Sequence, residues 1–221
     1  MHHSGSVQLL DLACGGLLVT AVLVLWRREL PVTIRVFAVQ GVALAALVGV
    51  LAGQRDSPEL AAVAVGVLVL RAGVLPYLLR RALAGAGERA GTESRPLVNV
   101  AGSLLVAAVL TLLSYAVSRP LVALDPSPAA AAVPVGLTVA LIGFFVLATR
   151  RRALSQLVGF LLMDNGITAV GLLTTSGISL IVELGVSLDV LLAVLVLQTL
   201  TTRMHETFGD TDLDGLRELH D

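Results

Sequence analysis

The chain has 221 residues, of which 56% are hydrophobic and 14% charged, with a formal net charge of -1. A mean hydropathy of +0.91 exceeds what a soluble domain of this length needs to fill one core, and it points to an all-α, polytopic integral membrane protein held in a lipid bilayer. The near-neutral charge argues against a nucleic-acid partner. The single Cys14 permits neither an internal disulfide nor a thiol metal site, and its role is that of a small packing residue.

Crossing a hydrocarbon core takes about 20 apolar residues. Seven such windows follow one another at about 7–26, 32–53, 59–80, 97–118, 131–149, 153–174 and 177–201, within one membrane domain spanning 1–221. The first window is too long for a signal peptide and lacks a basic flank and a cleavage site, so it is expected to be retained. Connections at Arg27, Arg28, at Ala82 to Pro96 and at Arg150, Arg151, Arg152 are basic, whereas the alternate ones hold one arginine or none. By the positive-inside rule the amino terminus is outside, and the carboxyl terminus is cytoplasmic with a tail at 203–221.

Pro76 lies inside the third window, five residues after Arg71. Its missing N–H frees a carbonyl one turn earlier, so Arg71 is expected beside a weak point of its helix. Glycines 159, 166 and 171 line the sixth window and let a neighbouring helix come close. Polar residues within the windows, Gln40, Asn99, Gln156, Asn165 and Gln198, are of the kind that hydrogen-bond between helices. Gln156, Asn165 and Gln198 share their two windows with buried acids and are candidates for a polar path.

Those acids are Asp164, Glu183 and Asp189. A carboxylate at bilayer depth costs roughly 2.5 to 3.5 kcal/mol on insertion scales, so such residues usually face a partner or a polar path. At about 1.5 Å of rise per residue, Asp164 and Asp189 lie roughly 17 and 18 Å from the cytoplasmic ends of their helices, and Arg71 roughly 14 Å from its own. The three charges therefore share one level, with Glu183 about 9 Å further out and turned by roughly 120° from Asp189. Arg35, within a turn of its basic loop, can snorkel. The separation of Glu183 from Asp189 disfavours a metal site. It suits a proton pathway through Asp164, Glu183 and Asp189, with Arg71 as the modulating charge: burial disfavours an ionised carboxyl and a nearby arginine favours it.

The run Gly159-Phe-Leu-Leu-Met-Asp-Asn-Gly-Ile167, with Leu180-Ile-Val-Glu-Leu-Gly-Val-Ser-Leu-Asp-Val190, resembles the membrane subunit known as component E of the hydrogenase-4 type. The resemblance extends to Arg28-Glu-Leu-Pro-Val-Thr-Ile-Arg35 with Gln40-Gly41, and to Leu70-Arg-Ala-Gly-Val-Leu-Pro76. Where that family usually has glutamate and lysine, this chain has Asp164 and Arg71. The last three windows are also similar to the K subunit of respiratory complex I and to the small C subunit of multisubunit cation/proton antiporters.

This resemblance implies a non-catalytic subunit, without cofactors of its own, in the plasma (inner) membrane. Its implied partners are antiporter-like membrane subunits and the large and iron-sulfur subunits of a nickel-iron hydrogenase. Two alternatives stay open: a component of a cation/proton or inorganic-carbon transport complex without hydrogenase, and an assembly scaffold whose acids pair with arginines of neighbouring chains.

Overall fold

A computed structural model describes residues 2–27, 29–85, 99–124 and 126–174. The expected seventh helix at 177–201, with Glu183, Asp189 and Gln198, and the tail beyond it lie outside the described residues. The architecture is all-helical: α1 (His2–Trp26), α2 (Leu30–Arg55), α3 (Pro58–Val67), a π-helical segment (Leu68–Val74), α4 (Leu75–Gly85), α5 (Val100–Leu124), α6 (Pro128–Thr149) and α7 (Ala153–Thr174). Because α3, the π-helical segment and α4 form one continuous rod, six helices are long and apolar enough to cross a membrane.

Tight connections fix which helices are neighbours. Asp56 ends α2 in the left-handed region at φ 46° with its N–H on the Ala52 carbonyl, and Ser57 then caps α3 by accepting from the Leu60 N–H at 3.3 Å. Ser57 and Pro58 together make the familiar helix start of a capping hydroxyl followed by a proline that has no N–H to leave unsatisfied. Ser127 and Pro128 repeat the device at α6, where the Ser127 hydroxyl accepts from the Ala130 N–H at 3.1 Å. Between α6 and α7 the chain turns within a few residues, so these two helices pack antiparallel along their length.

The α6/α7 contact is made at backbone distance. A Cβ placed on Gly143 would lie 2.6 Å from the Met163 Cα, one on Gly166 2.6 Å from the Ala140 Cα, and one on Gly159 2.6 Å from the Leu147 N. Apolar surroundings supply no hydrophobic drive between helices, so close van der Waals packing of this kind is what holds them together. Gly16 does the same more loosely for α1 and α2, where an added Cβ would sit 3.3 Å from that of Ala43. On α5 the inward stripe is Ser103, Ala107, Ser114 and Ser118. The Ser114 hydroxyl is satisfied by the Leu110 carbonyl of its own helix at 2.8 Å, which leaves a small, smooth face for packing.

α5 runs through Pro120 to Leu124, further than the expected end near 118, because a proline deep in an apolar helix breaks one backbone bond without stopping the rod. Arg35 is exposed and Cys14 is buried. At one end of the bundle the Arg150 guanidinium donates to the Val24, Leu25 and Arg27 carbonyls at 3.3 to 3.4 Å, so the C-terminal ends of α1 and α6 are tied together. Arginine at a helix C-terminus satisfies carbonyls that have no partner within the helix.

Gly143→Val forces the backbones of α6 and α7 apart. Overpacking of this kind costs about 1 to 3 kcal/mol, and the expected result is a lower unfolding midpoint in detergent micelles. Gly49→Ala, at a position where an added Cβ meets nothing within 4 Å, is expected to leave the midpoint unchanged or slightly raised.

Candidate functional site

Midway along the bundle an apolar interior is interrupted by a connected set of polar side chains. Arg71, Asp164, Asn165 and Gln40 are buried, with 1%, 3%, 0% and 0% of their surfaces exposed. An isolated ion moved into such surroundings costs several kcal/mol even after relaxation, so charges there persist only when they are paired and hydrogen-bonded. Both conditions hold. The Arg71 Nη2 donates to Asp164 Oδ2 at 2.5 Å and to Thr168 Oγ1 at 3.2 Å, and its Nη1 donates to Asn165 Oδ1.

Chemistry then orients the amides. Arginine can only donate, so Asn165 must turn its oxygen toward it. The Asn165 Nδ2 is thereby left to donate to Gln40 Oε1 at 2.9 Å, and the Gln40 Nε2 points to the Leu17 carbonyl at 3.5 Å. One directed chain of donors and acceptors thus runs from α1 through Gln40 of α2 and Asn165 of α7 to the arginine of the third rod. Within this chain Asp164 is the group whose charge changes by ordinary protonation; the amides do not titrate and arginine keeps its proton.

Local backbone features bring Arg71 into reach. It sits at the centre of the π-helical segment, whose wider winding is seen in the bond from the Leu75 N–H to the Leu70 carbonyl. Pro76 follows directly, and its missing N–H removes the α-helical partner of the Ala72 carbonyl, which favours a change of winding just upstream. The proline therefore does not merely bend the rod; it is followed back along the chain by a wider turn that carries the arginine. On the facing helix, a Cβ added to Gly41 would lie 2.7 Å from the Arg71 carbonyl carbon and 2.8 Å from its oxygen. That glycine lets α2 touch the backbone of the π-helical segment one residue away from Gln40.

Of the residues singled out from sequence, Arg71, Asp164 and Asn165 come together. Gln156 does not join them. It is two turns away, about 12 Å along α7 by rise, and its Nε2 donates to the Arg150 carbonyl at 3.0 Å, closing the α6/α7 turn. Glu183, Asp189 and Gln198 lie outside the described residues. The structure adds Thr168, four residues after Asp164 and hence on the same helix face, and gives Gln40 its partners. Asp11 is a further carboxylate within an apolar helix, on the exposed side of α1.

Comparison with known proteins gives one relative along the whole chain: Rv0085 of Mycobacterium tuberculosis, an uncharacterized protein, is 52% identical over 222 residues that cover all of both chains. Hydrogenase-4 component E of Escherichia coli K12 is 30% identical over 115 residues, 52% of this chain and 53% of the relative, and the Shigella flexneri protein of the same name matches equally. The chain thus spans about half the length of these hydrogenase-4 relatives, which supports a distant relation. No family model matches the chain. No solved structure matches it either.

Removing one member of the buried ion pair strands the other. Arg71→Met is expected to destabilise the folded chain by about 3 to 5 kcal/mol, and combining it with Asp164→Leu to recover most of that loss, because an apolar pair needs no compensation. Unfolding titrations in mixed micelles measure both.

Proposed function

We propose that this chain, which belongs to the same family as Rv0085 of Mycobacterium tuberculosis, is a non-catalytic membrane subunit of a hydrogenase-like complex in which Asp164 handles protons midway across the bilayer. The observation that carries the reading is the Arg71/Asp164 pair, held inside an apolar bundle by three further polar side chains. Ion pairs do not make such a bundle more stable than apolar packing would. A charged pair retained at this depth is better understood as a working group than as a structural one.

Three features support the rest. The distant similarity to hydrogenase-4 component E favours partners that bear the redox centres, together with antiporter-like membrane subunits. Six apolar rods favour a multi-pass protein of the plasma membrane, completed by a seventh span at 177–201. The basic ends of α1 and α6, tied together through Arg150, favour a cytoplasmic face at that end of the bundle and hence an external amino terminus. Asp164 finds its arginine in its own chain, so it is not an acid kept in reserve for the arginine of a neighbour, as a scaffold would have it.

In this mechanism the arginine stays charged and the carboxyl changes. With Asp164 ionised, the Arg71 guanidinium satisfies it. When a proton arrives the pair loses its attraction, and Thr168, whose hydroxyl both donates and accepts, offers the next hydrogen-bonding station along α7. Glu183 and Asp189 are the further carboxyls of the pathway. Asp164→Asn in the purified complex, reconstituted into vesicles, is expected to remove proton translocation while electron transfer to a soluble acceptor persists, and Asp164→Glu to retain translocation. Unchanged translocation in the asparagine variant would contradict the proposal.

A further inference from the structure

α7 presents three faces. One, with Gly159, Met163, Gly166 and Val170, packs on α6, and a second, with Leu161, Asn165 and Ala169, turns toward α2. The third is Leu157, Phe160, Asp164, Thr168 and Gly171, in which Asp164 is buried and the rest are partly exposed. Its spacing of 3, 4, 4 and 3 residues keeps it on one side of the helix and is the pattern by which two antiparallel helices interlock. α7 and the third rod both pack on α2 and meet each other chiefly through the Arg71 side chain. A helix-wide seat therefore runs beside Thr168, with α7 as one wall.

We propose that this third face is the seat of the chain's own segment 177–201, packed antiparallel to α7 with Glu183 opposite Thr168. The place where the described chain ends makes the argument. α7 stops at Thr174, and a connection of two residues to Gly177 cannot carry a helix to any neighbour but α7 itself. Counting equal rises down from Thr174 and up from Gly177 sets Leu180 level with Gly171, Glu183 with Thr168, Ser187 with Asp164, Leu191 with Phe160 and Val194 with Leu157.

Those positions repeat the same 3, 4, 4, 3 spacing, so they too form one stripe. Polar residues oppose the polar centre and apolar residues oppose the apolar ends. Glu183 brings an acceptor to the level of the Arg71 guanidinium, which has five donors to place. Asp189, six residues and about 120° from Glu183, falls off the seam. Of the two acids on the segment, Glu183 is therefore the one positioned to exchange a proton with Asp164 by way of Thr168. The docking rests on packing alone; the exchange rests on the proton-handling role proposed above.

Paired cysteines in the full-length chain, in native membranes with Cys14→Ser as background, test the seat. Gly171→Cys with Leu180→Cys, and separately Phe160→Cys with Leu191→Cys, are expected to crosslink within one chain under a short thiol-reactive reagent, as mass spectrometry of the joined peptides reads. Met163→Cys with Leu188→Cys, at one level but off the seam, is expected not to. Crosslinking of the control with both seam pairs unjoined, seam links only between two chains, or a folded, inserted chain joining neither pair would each overturn the proposal. The assay is blind to protons, so seam links together with unimpaired translocation in Glu183→Gln would retain the docking and remove the exchange.

Discussion

An arginine and an aspartate cannot be taken out of water unless each answers the other, and most of what is specific about this bundle follows from that requirement. Arg71 is 1% exposed and Asp164 3%. Their contact closes the electrostatic demand, and Asn165, Thr168 and Gln40 close the hydrogen-bonding demand around it. The amides cannot flip without setting donor against donor, so the network specifies one arrangement of α1, α2, α7 and the third rod. In an apolar interior a half-satisfied network would be worse than none.

Backbone geometry makes the pair possible. The α6/α7 contact at Gly143, Gly159 and Gly166 fixes the rotation of α7, and with it the direction of Asp164 and Asn165. Gly41 brings α2 against the π-helical segment, and the wide turn there delivers a long side chain across α2 to α7. None of these glycines touches the charges. Each sets where a helix can lie, and a displacement of about an ångström would take a 2.5 Å contact out of hydrogen-bonding range.

What sequence conveys here is set by periodicity and rise. Because a helix rises by a constant step, depth counted from the ends of the windows brings Arg71 and Asp164 to one level, and the structure joins them. Rotation about the helix axis is less legible. Adjacent Asp164 and Asn165 point about 100° apart, yet both reach Arg71 because an arginine fork is broad. Gly159 and Gly166 are legible as packing residues, whereas Gly143, which meets them from α6, carries no mark among so many small residues. Gln156 resembles a path residue in composition, but its amide is taken by a turn carbonyl that only the fold reveals. Pro76 signals a weak point without saying that the chain winds wider rather than bends.

The central claim is that Asp164 takes up and releases a proton while Arg71 stays charged. Infrared difference spectroscopy on the purified complex during turnover reads this directly, through the carbonyl stretch that a carboxyl group shows only when protonated. The account predicts a turnover-dependent band that shifts in Asp164→Glu and vanishes in Asp164→Asn. A band that survives unchanged in Asp164→Asn, or no carboxyl band in a complex that still translocates protons, would contradict it.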